Sequence, residues 1–321
     1  MLKPSWPAWL RMSSPMPLND TSYLLRLSDN SDWQFTSTTD TAEWEWLNFF
    51  ASTLGLPVLE NDGSAVENGI LICSEKRKSE CLLAMGASHW GVNARVNEFQ
   101  LGPLAVYSTP GSNHLMHVVP NDESHKDWLM SMWYGLYPLY PQLLRMGHLP
   151  LHAGLATWRG QGILFAAPGG TGKSTTMRRL PMDWDVHCDD ESWLVNADAG
   201  LFSHPLPTWS DLVLRGERKS WNSPHASPAK AIVFLRQAES VKINRLSPAE
   251  CATLLKQATE QILRRAWAVL PPPDLNKVRA RVFELADERS RSLHGYLLDL
   301  NLTDPFWTTL EVALMKDIAI T

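Results

Sequence analysis

Short apolar runs separated by turn residues set the rhythm of the first third of the chain. Ser22–Leu27 predicts a strand, and Ala42–Leu54, with Trp44, Leu47, Phe50 and Leu54 near one face, predicts a helix. Glu60–Asn68 is polar and reads as a loop. Gly69–Cys73, Leu101–Tyr107 and His114–Val119 predict further strands, the last two separated by the turn-rich stretch Ser108–Asn113. Strands with little helix between them suggest an N-terminal α+β domain over residues 1–121. Asp122–Met146 then carries Trp128, Leu129, Met132, Trp133 and Leu136 at helical spacing. Pro138 and Pro141 kink or split that helix and Gly147 stops it, so residues 122–148 read as a helical junction.

From residue 149 to 321 the pattern is that of an α/β domain. Leu149–Trp158 predicts a strand containing His152, and a tight turn through Arg159–Gly162 leads into Ile163–Ala166, an apolar run suited to a buried strand. A strand at Trp184–His187 follows, then one at Leu212–Leu214 ending in Arg215-Gly216, and another at Ala231–Leu235. Between the last two, Ser220–Pro228 is rich in Ser, Pro and His and reads as a mobile loop. Helices are predicted at Pro248–Leu270 and Leu275–Arg289, a strand at Tyr296–Leu302 and a closing helix at Phe306–Met315.

The chemistry concentrates after the Ile163–Ala166 strand. Ala167–Ser174 satisfies the pattern G-x-x-x-x-G-K-[ST], with Ala167 in place of the first glycine. Glycines let successive backbone N–H groups converge on phosphate oxygens, and a helix N-terminus adds partial positive charge. Pro168, Gly169, Gly170, Thr171, Gly172, Lys173, Ser174 and Thr175 are therefore the candidate nucleotide-binding residues. The motif has Lys173 reach the β/γ-phosphates and Ser174 give its hydroxyl to Mg²⁺. Shortly downstream, Asp189 and Asp190 follow a predicted strand. Such a site needs one carboxylate to orient the metal, and a second can accept a hydroxyl proton.

Composition narrows the field. With 29 basic and 34 acidic residues the formal charge is −5, and no basic run of five or six residues is present, which argues against nucleic acid as the main partner. Four widely spaced cysteines, none in a CxxC pair, suggest reduced thiols and a cytoplasmic location. The N-terminal stretch with Trp6, Trp9 and Leu10 is broken by prolines and lacks the apolar run of a signal peptide. No stretch of about 18 consecutive apolar residues predicts a membrane span. Most of the 15 tryptophans are read as core or interface residues.

The run Leu151-His152-Ala153-Gly154, the turn to Gly162, the loop ending Gly172-Lys173-Ser174 and the pair Asp189-Asp190 resemble the catalytic domain of HPr kinase/phosphorylase in order and spacing. Gly170–Lys173 and Asp189–Glu191 are also similar to the loop and metal motif of phosphoenolpyruvate carboxykinase. The arrangement looks closest to the HPr-kinase-related proteins of peptide-maturation cassettes, the SynChlorMet cassette ScmC group and the lasso-peptide kinases. His204–Ser210 and Asp304–Trp307 add to that likeness. The resemblance implies an HPr-kinase-like P-loop domain preceded by a β-hairpin. It implies a kinase that transfers the γ-phosphoryl group of ATP, with Mg²⁺, to a Ser or Thr hydroxyl of a peptide or small protein during ribosomal-peptide maturation.

By the same resemblance His152 assists the catalytic carboxylate, although a lone histidine in an apolar strand otherwise reads as core. Asp189 and Asp190 divide metal binding and base between them, in an order left open. HPr kinase loops carry an Asp and a Glu where Pro168 and Thr175 stand, which speaks against phosphorolysis. Arg215-Gly216 matches either a family signature or a surface arginine, and Arg264 and Arg265 read as a solvated helix face. Related kinases form oligomers, so by analogy alone a homo-oligomer is allowed. Two other functions stay open: an ATP-binding, non-catalytic adaptor or switch of a peptide-modifying complex, and a carboxykinase-like activity. The short chain weighs against the latter.

Overall fold

The computed structural model describes residues 22–38, 40–59, 67–91, 93–120, 124–215, 220–267 and 272–317, and in it most of the apolar runs are strands. The N-terminal Trp-Pro stretch and most of the polar loop expected at 60–68 lie outside the described residues. The architecture is mixed α/β with two sheets. Contacts group the described residues into two units. One runs to Pro138 and takes in Trp209–Ser220; the other holds Leu139–Thr208 and everything described from Trp221 on. Of the segment Trp209–Ser220, residues 209–215 and Ser220 are described.

In the first unit β1 (Ser22–Arg26), β2 (Asp32–Ser37), β3 (Asn68–Ser74), β4 (Asn97–Leu101), β5 (Leu104–Ser108) and β6 (His114–Val119) form one sheet in the order β1-β2-β3-β6-β5-β4. β2, β3 and β6 run parallel and the rest antiparallel. Helix α1 (Thr41–Leu54) starts because the Asp40 carboxylate accepts from Ala42 N at 2.9 Å, and it ends where Gly55 turns left-handed at φ 68°. Its buried face stacks Trp46 on Phe50 at 5.0 Å. A short α2 (Lys78–Met85) covers Leu71, Cys73, Met116 and Val118, and α3 (His125–Gly135) gives Ser131 to the Trp46 indole at 2.7 Å. The strand expected at Leu101–Tyr107 is instead the hairpin β4–β5, because Gly102 adopts φ 54° and reverses the chain.

The second unit opens with α4 (Tyr140–Met146), which Gly147 ends at φ 89°. Arg281 and Arg289 donate to the carbonyls of Leu144 and Gly147 at 3.2 and 2.9 Å, satisfying groups the helix end leaves over. The strand expected at Leu149–Trp158 is two strands, β7 (Leu149–Leu151) and β8 (Ala153–Trp158), broken at His152. β8 turns through Arg159 and Gly160, both at positive φ, into β9 (Gln161–Ala166), a hairpin of the primed kind that matches strand twist. Then come α5 (Lys173–Arg178), β10 (Trp184–Cys188), β11 (Ser192–Ala197) and β12 (Gly200–Pro205). The segment expected as a strand at Leu212–Leu214 is helix α6 (Trp209–Arg215) of the first unit, where Trp209 lies 6.1 Å from Phe50, ring to ring. Gly216 lies outside the described residues.

The remaining elements are β13 (Ser227–Gln237), β14 (Lys242–Arg245), α7 (Pro248–Trp267), α8 (Pro272–Ser290), β15 (His294–Leu300) and α9 (Phe306–Asp317). Trp221 and Ser223, in the loop read from sequence as mobile, are both buried. The sheet order is β10-β8-β9-β13-β12-β11-β7, with β15 beside β13 and β14 beside β15. β9, β13 and β15 run parallel, and their inward residues Ile163, Phe165, Ala231, Val233 and Leu298 are fully buried in one core. Arg179, at the end of α5, donates to the carbonyls of Asn301 and Asp304 at 2.7 and 2.6 Å and lies over the Phe306 ring at 5.4 Å. Asp304–Trp307 therefore docks the loop helix against α9. Arg179→Ala should cost about 2 kcal/mol of stability, since two charged hydrogen bonds and a cation–π contact go together. Urea unfolding checks this, and an unchanged midpoint would refute it.

Candidate functional site

Strand direction alone brings the candidate residues to one sheet edge. β8 is antiparallel to both β9 and β10, so the start of β8 lies beside the carboxyl ends of its two neighbours: Ala153 pairs with Ala166, and Leu155 with Cys188. His152, the loop after Ala166 and Asp189-Asp190 thus meet at the carboxyl ends of strands, where α/β sheets hold ligands. Gly154 permits the approach. A Cβ there would stand 3.0 Å from the Cys188 carbonyl and 3.1 Å from Asp189 Cα, so any larger residue would push the acidic segment away.

The loop is a strand–loop–helix turn. Ala167 is 5% exposed and packs with the β9 core, which explains why a side chain is accepted where the motif has glycine. Pro168, Gly169 and Gly170 are exposed, and a Cβ on Gly169, Gly170 or Gly172 would meet nothing within 4 Å. Gly170 and Gly172 need their type, at φ 80° and 100°. Thr171 N bonds the Pro168 carbonyl at 3.2 Å, and Gln237 donates to the Thr171 carbonyl at 3.2 Å, tying the loop to β13. Gly172 caps α5, with Thr176 N bonding its carbonyl at 2.8 Å. α5 has only 6 residues, so loop amides and Lys173 outweigh its dipole. Ser174 and Thr175 are half-buried on its first turn.

Lys173 is 7% exposed and points among carboxylates: its Nζ donates to the Asp190 main-chain oxygen at 3.3 Å and lies 3.8 Å from Asp190 Oδ1. Burial lowers its pKa from the ordinary lysine value, while Asp190 and Asp189 pull the other way. His152 Nε2 stands 3.1 Å from that same Oδ1, and its Nδ1 donates to Gln261 Oε1 at 2.6 Å. Asp189 is held differently, accepting from the Thr208 hydroxyl at 2.6 Å. The sequence gives no site role to Gln261, Gly154 or Thr208: Gly154 and Thr208 lie in the runs Leu151–Gly154 and His204–Ser210 that carry the resemblance, and Gln261 only in a predicted helix.

Glu191 stands apart from the other two carboxylates. It is 2% exposed, with Tyr140 OH and Trp193 Nε1 donating to Oε1 at 2.6 and 3.1 Å. Burial pushes its pKa up to about 7 from 4.5. A carboxyl whose folded pKa is raised contributes nothing below its unfolded value and destabilises increasingly as pH rises through the folded one. Between pH 4.5 and 7 this penalty grows to about 3 kcal/mol. Glu191→Gln should therefore gain thermal stability over wild type at pH 8 and lose that gain at pH 5; equal differences at both values would refute the assignment.

The donors suit the groups the motif implies. Open space above the glycines leaves the loop amides accessible, and Ser174, Asp189 and Asp190 supply the hydroxyl and carboxylate oxygens that Mg²⁺ prefers. Among the described residues no three His, Cys, Asp or Glu side chains form a cage for a metal. Mg²⁺ at nucleotide sites needs only one or two carboxylates, with phosphate oxygens and water completing the shell. Among the described residues no helix is long and apolar enough to cross a membrane.

A family described as SynChlorMet cassette protein ScmC matches residues 115–316, from β6 to α9, and so includes every residue of this site. No curated protein matches the chain.

Proposed function

The chain belongs to the SynChlorMet cassette protein ScmC family, and from that premise we propose that it is an ATP-dependent kinase acting within a peptide-maturation cassette. It transfers the γ-phosphoryl group to a Ser or Thr hydroxyl of a peptide or small protein, on a domain of HPr-kinase-like type, in the cytoplasm. The observation that carries this reading is the meeting of three groups at the loop: Lys173 Nζ and His152 Nε2 lie 3.8 and 3.1 Å from one oxygen of Asp190.

The differing partners of the two aspartates suggest the division of labour that sequence leaves open. Asp190, flanked by His152 and Lys173, takes the hydroxyl proton of the acceptor. Asp189, held by Thr208, serves with Ser174 as metal ligand. Mg²⁺ when bound neutralises phosphate charge. Lys173 and the amides of Pro168–Thr175, Pro168 itself lacking one, orient the nucleotide and stabilise charge on the group in transfer. The acceptor oxygen bonds to phosphorus as the bond to the ADP oxygen breaks, and ADP leaves with that electron pair.

The test is incubation with γ-labelled ATP, Mg²⁺ and the short peptides encoded in the same cassette, read by intact mass. One phosphate gained by a peptide is expected. ATP binding with no labelled product from any cassette peptide would overturn the kinase reading in favour of an adaptor.

A further inference from the structure

His152 is gripped from one side by a helix that carries no motif. Its main-chain N donates to the Ala258 carbonyl at 3.1 Å, and its Nδ1 donates to Gln261 Oε1 at 2.6 Å. Ala258 and Gln261 are three residues apart on α7 and so share one face of it. The grip falls where β7 ends and β8 begins, so His152 has no sheet partner of its own there. Turning a histidine ring by half a turn about its terminal torsion, which is broad and roughly two-fold, exchanges the edge it presents. Gln261 Oε1 at Nδ1 and Asp190 Oδ1 at Nε2 are both acceptors, so Gln261 fixes which nitrogen faces Asp190, and the 3.1 Å contact to Asp190 needs a proton of its own.

We propose that Gln261 is a positioning residue for phosphoryl transfer. Its side-chain carbonyl holds a hydrogen on Nδ1 of His152 and thereby keeps Nε2 turned toward Asp190 Oδ1, with a proton shared between those two atoms. The role rests on the kinase reading above. There, Asp190 takes the acceptor's proton while the hydroxyl oxygen bonds to phosphorus, and Nε2 is the adjacent group that shares that proton. Gln261 itself touches neither nucleotide nor acceptor. The selection it performs is the one a carboxylate or carbonyl performs behind a metal-bound histidine, where removing the outer partner costs about 10–100-fold.

Two variants and two readouts test this. Gln261→Met keeps the length of the side chain and removes the acceptor; Gln261→Glu keeps an oxygen at the same place. With a cassette peptide as acceptor, kcat should fall about 10–100-fold in Gln261→Met with KM for ATP unchanged, and stay within about threefold of wild type in Gln261→Glu. A purely structural role would instead lower both in step with thermal stability. Nitrogen-15 NMR of the imidazole rings, on the full chain without nucleotide, should show the His152 hydrogen on Nδ1 in wild type and lost from that site in Gln261→Met. A Gln261→Met variant with wild-type kcat, a Gln261→Glu variant as slow as Gln261→Met, or an unchanged ring spectrum would each overturn the proposal. If wild type phosphorylates nothing, the kinase reading fails, and the NMR comparison still decides whether Gln261 sets the ring.

Discussion

Lys173→Met is expected to slow phosphoryl transfer to a cassette peptide by about 10³-fold, the cost of removing a pre-aimed donor from a water-poor site. Methionine fills nearly the same volume, so the buried stem, 7% exposed, keeps its packing and the loss is one of charge. Two effects add. The transferring group loses its cation, and Asp190 loses the ammonium 3.8 Å from its Oδ1. Melting temperature should stay near that of wild type, because burial already disfavours the Lys173 ammonium. Transfer at the wild-type rate, followed by intact mass over time, would remove Lys173 from the mechanism.

Asp190→Asn is expected to lower kcat by about 10²–10⁴-fold, the usual contribution of a positioned general base, while ATP still binds. The amide keeps the shape of the carboxylate and cannot take a proton. Asp189→Asn separates the two roles. Anchored by Thr208 at 2.6 Å, it should chiefly raise the Mg²⁺ concentration needed for half-maximal rate. A titration in which Asp190→Asn shifts the Mg²⁺ requirement and Asp189→Asn leaves it alone would reverse the assignment.

The strand before the loop, the loop itself and the acidic pair were legible because each is a local signal: four apolar residues, glycines before a lysine, two adjacent aspartates. What lay beyond reach was everything set by pairing. β2 alternates Trp33 and Phe35 with polar residues, but two apolar positions are a weak signal, and Gln34 and Thr36 are buried as well. α2 is short, with few buried positions, and leaves no periodic stripe. The run Leu212–Leu214 is too brief to tell helix from strand, and helix won. The break at His152 arises because β7 pairs with β11 and β8 with β9, which no local feature announces. Gln261 lies on α7 among ordinary helix residues, and its meeting with His152 spans 109 positions. Glu191 shows the opposite failure. It sits in a motif beside two site residues, yet lies buried against Tyr140 and Trp193.

Apart from the hairpin strand β8, the tethers that shape the loop come from chain that follows it. β9 finds its hairpin partner β8 across two residues, a pairing that closes within microseconds. Its parallel partner β13 begins at Ser227, Gln237 fastens Thr171, and Arg179 waits for Asn301 and Asp304. During synthesis the glycines therefore leave the ribosome long before anything can hold them in place. Loops of that length close slowly and late. The site depends on these later segments, and a chain cut before Asn301 would carry the whole motif without a finished cradle.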